Sequence, residues 1–211
     1  MFSTEGGVVT VAAIKQFTPL TLYAAVVLCL CLLVASEELS GLSILLLLSA
    51  GFLSWSPIEY VLHRFIFHYN SRSSLGRKLL YQAHISHHEN PEATSRHFAS
   101  LLLSAPIASI YWLIAFVVTG SSATASYLFI GMAAGYVGYQ WIHFQCHHGK
   151  SRLRLLRYLR RYHLLHHYKT QDLRFGVTSP LIDLIFGTFR PIVPPRLNIN
   201  RRDPGGEIVI K

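Results

Sequence analysis

Long apolar runs uninterrupted by charge dominate the chain. Residues 16–36 contain no Asp, Glu, Lys or Arg, and 20–35 are nearly all apolar. A second charge-free run covers 39–58 and includes Leu42-Ser43-Ile44-Leu45-Leu46-Leu47-Leu48. A third extends from 97 to 149. A helix that crosses a bilayer takes about 20 residues, roughly 30 Å at about 1.5 Å per residue. The third run is long enough for two crossings, and Gly120-Ser121-Ser122-Ala123-Thr124 is its natural break. The pattern predicts four spans in two hairpins, 18–36 with 41–62 and 99–119 with 124–144. A cleavable leader is the alternative for the first run, but Glu37-Glu38 follow it without a convincing small-residue cleavage site. A buried soluble helix would explain any one run, and four together argue against it.

The remaining segments are short and differently patterned. Residues 151–169 interleave Arg152, Arg154, Arg157, Arg160 and Arg161 with Leu153, Leu155, Leu156, Leu159 and Tyr162. That alternation predicts a helix lying on a membrane surface. A short apolar piece follows at 181–186, and the tail from 194 is rich in turn residues. Of the 211 residues, 51% are hydrophobic and 14% are charged, the latter about half the share of a soluble domain. This excludes a disordered chain and argues for one membrane domain over residues 1–211. Three cysteines, Cys29, Cys31 and Cys146, cannot build a disulfide framework.

Charge sets the orientation. All 19 Lys and Arg residues lie before the first span, between the hairpins, or after the fourth span. None falls in the turns at 36–41 and 120–124. The positive-inside rule makes the basic side cytosolic, so 63–98 and 143–211 form a cytosolic cap. The expected fold is therefore all-α and integral to the membrane, four transmembrane helices in two hairpins under a cytosolic helical cap. That membrane is the endoplasmic reticulum in a eukaryote or the inner membrane in a bacterium. The net charge of +9 is accounted for by this topology and by anionic lipid headgroups, without nucleic acid.

All 12 histidines fall on the cytosolic side or at a cytosolic span end. They group as His63-x-x-x-x-His68, His84-x-x-His87-His88, His143-x-x-x-His147-His148 and His163-x-x-His166-His167, with His97 alone. On a helix, positions i, i+3 and i+4 fall within an arc of about 100°, so each His-x-x-His-His motif offers three imidazoles from one face. His143 and His147 share a face likewise. His63 and His68 stand about 140° apart on an ideal helix, so the pair sits at a fraying end or serves two metals. Ten histidines (His63, His68, His84, His87, His88, His143, His147, His163, His166, His167) exceed what one ion takes and suit two. An all-imidazole shell favours Zn, Fe, Cu or Ni over Mg or Ca. Glu59, one turn before His63, either accepts that ring's N–H or is a charge at headgroup level. Cys146 sits among the ligand candidates, where packing is the simpler role.

Ser56-Pro57-Ile58-Glu59-Tyr60-x-x-His63-Arg64-Phe65-x-Phe67-His68 resembles the first histidine box of the fatty acid hydroxylase/sterol desaturase superfamily. His84-Ile85-Ser86-His87-His88, His143-x-x-x-His147 and Tyr162-His163-x-x-His166-His167-Tyr168 resemble the other boxes, in order. Phe175-Gly176-Val177-Thr178-Ser179 and Asp183-x-x-Phe186-Gly187-Thr188 are similar to its C-terminal signature. The resemblance is greatest to fatty acid 2-hydroxylases. It implies two iron ions at the ten histidines, replaceable by zinc in purified protein, with dioxygen as co-substrate. It also implies a membrane lipid substrate hydroxylated beside the acyl carbonyl. Many members carry a cytochrome-b-type haem domain ahead of the hydroxylase; only residues 1–17 precede the first span here. The expectation is no fused haem domain, and a separate cytochrome-b-type or ferredoxin-type electron donor. Tyr139 and Gln140, expected to bind substrate, stand where 2-hydroxylases tend to have Tyr-Asp. Carotenoid hydroxylases and sterol desaturases share the histidine pattern and are the alternatives. A divalent-metal transporter would place ligands mid-membrane, and a bis-histidine haem protein would pair histidines within the spans.

Overall fold

The structure is a computed structural model that describes residues 26–27, 39–93 and 101–193, with side chains of 101–103 excluded. His97, the tail from 194 and nearly all of the first expected span lie outside the described residues. Those described form helices and turns and no strand. In chain order they are α1 (Gly41–Val61), α2 (Ser74–Leu80), α3 (Ser86–Glu89), α4 (Leu101–Thr119), α5 (Ser122–His148), α6 (Arg154–Tyr168) and α7 (Leu181–Ile185). π-helical turns extend α1 over Leu62–Phe67 and join α2 to α3 over Tyr81–Ile85.

Local chemistry explains where the helices begin. The hydroxyls of Ser40, Ser73 and Ser121 accept backbone N–H groups at Ser43, Gly76 and Thr124, at 3.2, 3.0 and 3.2 Å. Each satisfies a donor that the first helical turn leaves without a partner. The break expected at 120–124 is present: α4 stops at Thr119, and Gly120 turns the chain with φ of +66°, a region glycine enters at little cost.

Helix α1 packs along α5, which also meets α4 and α6. The approach of α1 and α5 is close because glycines line it. A Cβ on Gly51 would collide with the Leu128 carbonyl, and one on Gly131 with that of Leu48. Small residues at such crossings are how apolar helices pack without help from water. Trp55, Leu62, Ala108, Phe129, Met132 and Ala133 form the core between α1, α4 and α5.

Gly41–Phe67 is long and apolar enough to cross a membrane, and the part of α4 whose side chains are described, Ser104–Thr119, is a shorter apolar helix. Helix α5 has the length, 27 residues, but its C-terminal part carries Gln140, His143, His147 and His148. Helix α6 is amphipathic as expected. Its inner face, Leu159, Tyr162, His163, His166 and His167, is buried in the protein, while Arg154, Arg157 and Arg161 face outward.

Candidate metal centre

The ten histidines separate into two groups of five. His63, His68, His84, His88 and His166 form one; His87, His143, His147, His163 and His167 form the other, and in each the donor nitrogens lie within 4.8 Å of one another. The His-x-x-His-His motifs are not single combs. The i, i+4 pair His84 and His88 joins the first group, and His87, one step off that line, turns to the second. Helix α6 mirrors this, sending His163 and His167 to the second group and His166 to the first. Each group is completed by a pair from the end of a long helix, His63 with His68 or His143 with His147.

The π-turn explains the His63/His68 spacing. The His68 N–H donates to the His63 carbonyl at 3.3 Å, the i+5 pairing of a π-helix. It brings the two rings together, tilted at 45° with centroids 5.1 Å apart. Neither a fraying end nor service to two metals is needed: both histidines point into the same group.

The donor set fits metal ions. Nε2 of His63, His68 and His166 is buried without a hydrogen-bond partner. Across the groups Nε2 atoms face one another, 2.8 Å apart for His84 and His88, 3.0 Å for His87 and His143, and 3.0 Å for His147 and His163. Two neutral imidazoles can share at most one proton in each such contact. Around an ion with bonds of about 2.1 Å, nitrogens at right angles lie about 3.0 Å apart and tetrahedral ones about 3.4 Å. The observed spacings of 2.8–3.0 Å are of the order that imidazoles gathered round one ion require. Burial favours the neutral form of six of these rings, and neighbouring imidazoles reinforce it for all of the six except His68. His68 is pushed down to about 4, His166 to about 3 and His88 to about 2, and His84, His163 and His167 also titrate well below the ordinary range. The neutral ring is the form that binds metal.

One loop orients two of the histidines in the first group. Nδ1–H of His63 donates to the Phe175 carbonyl at 2.6 Å, and Nδ1–H of His166 donates to the Leu173 carbonyl at 2.7 Å. A carbonyl only accepts, so both rings carry their proton on Nδ1 and present the Nε2 lone pair to the group. Arg174, between these carbonyls, has φ of 62°. That left-handed turn aims both carbonyls at histidines.

Two buried carboxylates hold this loop. Asp183 accepts the Phe175 and Gly176 N–H groups, both at 2.9 Å, and the Thr188 hydroxyl at 2.7 Å. Thr188 in turn bonds the Tyr60 hydroxyl at 2.8 Å, which accepts from Arg64 at 2.7 Å. Glu59 accepts the Val177 N–H, the Thr178 N–H at 3.1 Å and the Thr178 hydroxyl at 2.6 Å. The expected contact of Glu59 with the His63 ring is replaced by this grip on 177–178, because Phe175 takes the ring N–H. Sequence reasoning did not assign Asp183 a role. The available signal was a carboxylate inside the apolar run 181–186, where an unpaired charge is costly.

His148 lies outside both groups, its ring 4.8 Å from that of Phe144. Cys146 also lies outside them; burial pushes its thiol up to about 12, leaving it protonated and inert. A narrow apolar cavity runs from the groups between α1, α4 and α5. His63, His84, His87 and His143 line it together with Trp55, Leu62, Ile107, Phe129 and Met132. Tyr139 and Gln140 line it too. Tyr139 stacks on His143, centroids 5.6 Å apart, and Gln140 donates to the Tyr136 hydroxyl at 2.7 Å.

Residues 48–188 match the family described as fatty acid hydroxylase. A dihydroceramide fatty acyl 2-hydroxylase of Arabidopsis thaliana is 35% identical over 73% of this chain and 65% of its own length. A ceramide very long chain fatty acid hydroxylase of Saccharomyces cerevisiae is 34% identical over 74% of this chain and 41% of its own. A fatty acid 2-hydroxylase of Rattus norvegicus is 32% identical over 67% and 38%. The chain thus spans less than two thirds of the length of these relatives. The solved structure described as full-length scs7p, with only its hydroxylase domain visible, superimposes with a TM-score of 0.75 at 30% identity, over 84% of this chain and 67% of that one. By sequence and by fold, this chain belongs to the fatty acid hydroxylase family.

Proposed function

We propose that the protein is a membrane-bound hydroxylase of lipid acyl chains that uses two iron ions and dioxygen and acts on the carbon next to the carbonyl. The observation that carries this reading is the pairing of two five-histidine groups with an apolar cavity that opens onto them. The relatives' names, 2-hydroxylases of fatty acyl chains and ceramides, support the position of attack. His63, His68, His84, His88 and His166 would hold one ion, and His87, His143, His147, His163 and His167 the other. Bound iron supplies the redox chemistry by which dioxygen, two electrons and two protons convert C–H to C–OH and water. Zinc has no accessible second oxidation state, so a zinc-filled centre is inactive.

The chain's residues provide shape and orientation. Trp55, Phe129 and Met132 exclude water and accept the acyl chain, while Tyr139 and Gln140 meet its polar end. Electrons come from a separate cytochrome-b-type or ferredoxin-type protein. The four-span topology puts the histidines on the cytosolic face, where the acyl chain stays in lipid as its head reaches the centre, and basic residues meet anionic headgroups.

Expressing the chain in a host and comparing lipids by mass spectrometry tests the reaction. Acyl chains should gain one oxygen atom on the carbon beside the carbonyl. Oxygen on a carotenoid ring or sterol, or a new double bond without oxygen, would contradict it. The topology has its own test. Cysteines introduced at Ser40 and Ser122 should react with a membrane-impermeant thiol reagent from outside the cytosolic compartment, and those at Ser73 and Ser151 should not. Opposite labelling of Ser40 and Ser122 would break the two-hairpin arrangement.

A further inference from the structure

We infer that α7 and the phenylalanine after it form an interfacial membrane anchor, with Leu184, Ile185 and Phe186 dipping into the cytosolic leaflet beside the end of α1. The inference rests on the membrane reading above and adds a lipid-contacting element to the cap. In this short helix the usual burial pattern is reversed. The charged residue, Asp183, is fully buried, whereas Leu181, Leu184, Ile185 and Phe186 are 64, 55, 75 and 48% exposed. A cluster of exposed large apolar side chains marks an interaction surface.

What lies beside the cluster identifies its partner. The Phe186 ring stacks on Tyr60 at 5.0 Å and meets Phe65 edge-on at 6.1 Å. Both belong to Gly41–Phe67, the helix long enough to cross a bilayer. Leu42, Leu46, Leu53, Val61 and Phe65 are exposed along that helix, one apolar stripe that runs into Phe186. The two surfaces are therefore continuous, and lipid covering the stripe reaches α7. The Arg64 guanidinium sits 5.0 Å from the Phe65 ring and 5.8 Å from the Phe186 ring, and Arg190 is exposed just beyond. Cations beside aromatic rings suit the headgroup layer of an anionic leaflet, and a second copy of this basic chain would bring like charges together there.

The test uses the full chain in nanodiscs of phosphatidylcholine and phosphatidylglycerol, with Cys29→Ser and Cys31→Ser. Cys146 is 1% exposed and stays unlabelled. Bimane is attached to Ile185→Cys, to Leu45→Cys in the span, and to Arg152→Cys, an exposed position, as a water-exposed reference. The Ile185 label should lose most of its emission to acyl-brominated lipid and be shielded from aqueous iodide, as the Leu45 label is. If Leu45 is quenched by lipid while Ile185 answers only to iodide, the anchor is wrong and the membrane reading stands. Shielding of Ile185 from both quenchers means protein covers the patch and likewise overturns the anchor. A Leu45 label untouched by brominated lipid overturns the membrane reading and the anchor with it.

Discussion

Replacing His147 by alanine is expected to remove roughly one metal ion per chain and nearly all product formation, while His148→Ala keeps both ions and substantial activity. The two histidines are neighbours in sequence at the end of α5, and only one joins a group. Nε2 of His147 lies 3.1 Å from that of His87 and 3.0 Å from that of His163. His148 points about 100° away and rests against Phe144. Loss of a partner merely supporting a ligand costs about 10–100-fold in metal affinity or activity, and loss of a ligand should cost at least as much. Metal content by mass spectrometry, measured with product formation for both variants, decides the matter. If His148 proved essential and His147 dispensable, the assignment of the second group would fail.

Asp183→Ala should deplete the first group of its metal and lower the thermal midpoint on the order of 10 °C. The substitution strips acceptors from the buried N–H groups of Phe175 and Gly176 and from the Thr188 hydroxyl. A stranded buried donor costs about 1–3 kcal/mol, and a broken buried charge network about 3–5 kcal/mol. The released loop no longer aims the Phe175 and Leu173 carbonyls at His63 and His166. Nδ1 of His163 and of His167, in the second group, has no hydrogen-bond partner, and that group should empty later. Asp183→Asn preserves shape but turns an amide donor toward an N–H, so an intermediate loss is expected. Metal equivalents per chain, followed during dialysis against a weak chelator, provide the readout. Retention of both ions and of the midpoint in Asp183→Ala would rule out the clamp.

Some of this protein was already determined along the chain, because the physics involved is local. Charge-free runs mark apolar helices wherever the side chains, not their partners, decide solubility, and the Gly120-Ser121 break follows from backbone and capping chemistry within four residues. The ten candidate ligands were legible for the same reason, since i, i+3 and i+4 spacing is a property of one helix. Tertiary structure decided how those ligands divide. Residues 84–88 and 163–167 each fan over about 100°, and only a second helix facing the first can turn that fan into two groups. The π-turn at 62–67 overrode the ideal-helix angle between His63 and His68, because gathering buried imidazoles outweighs one irregular turn. Glu59 illustrates the limit best. Its nearest candidate partner in sequence was His63, four residues on, yet that ring bonds a carbonyl 112 residues away and Glu59 grips the same distant loop. Buried polar groups take whichever partner the packed chain brings within reach, and proximity in sequence does not identify it.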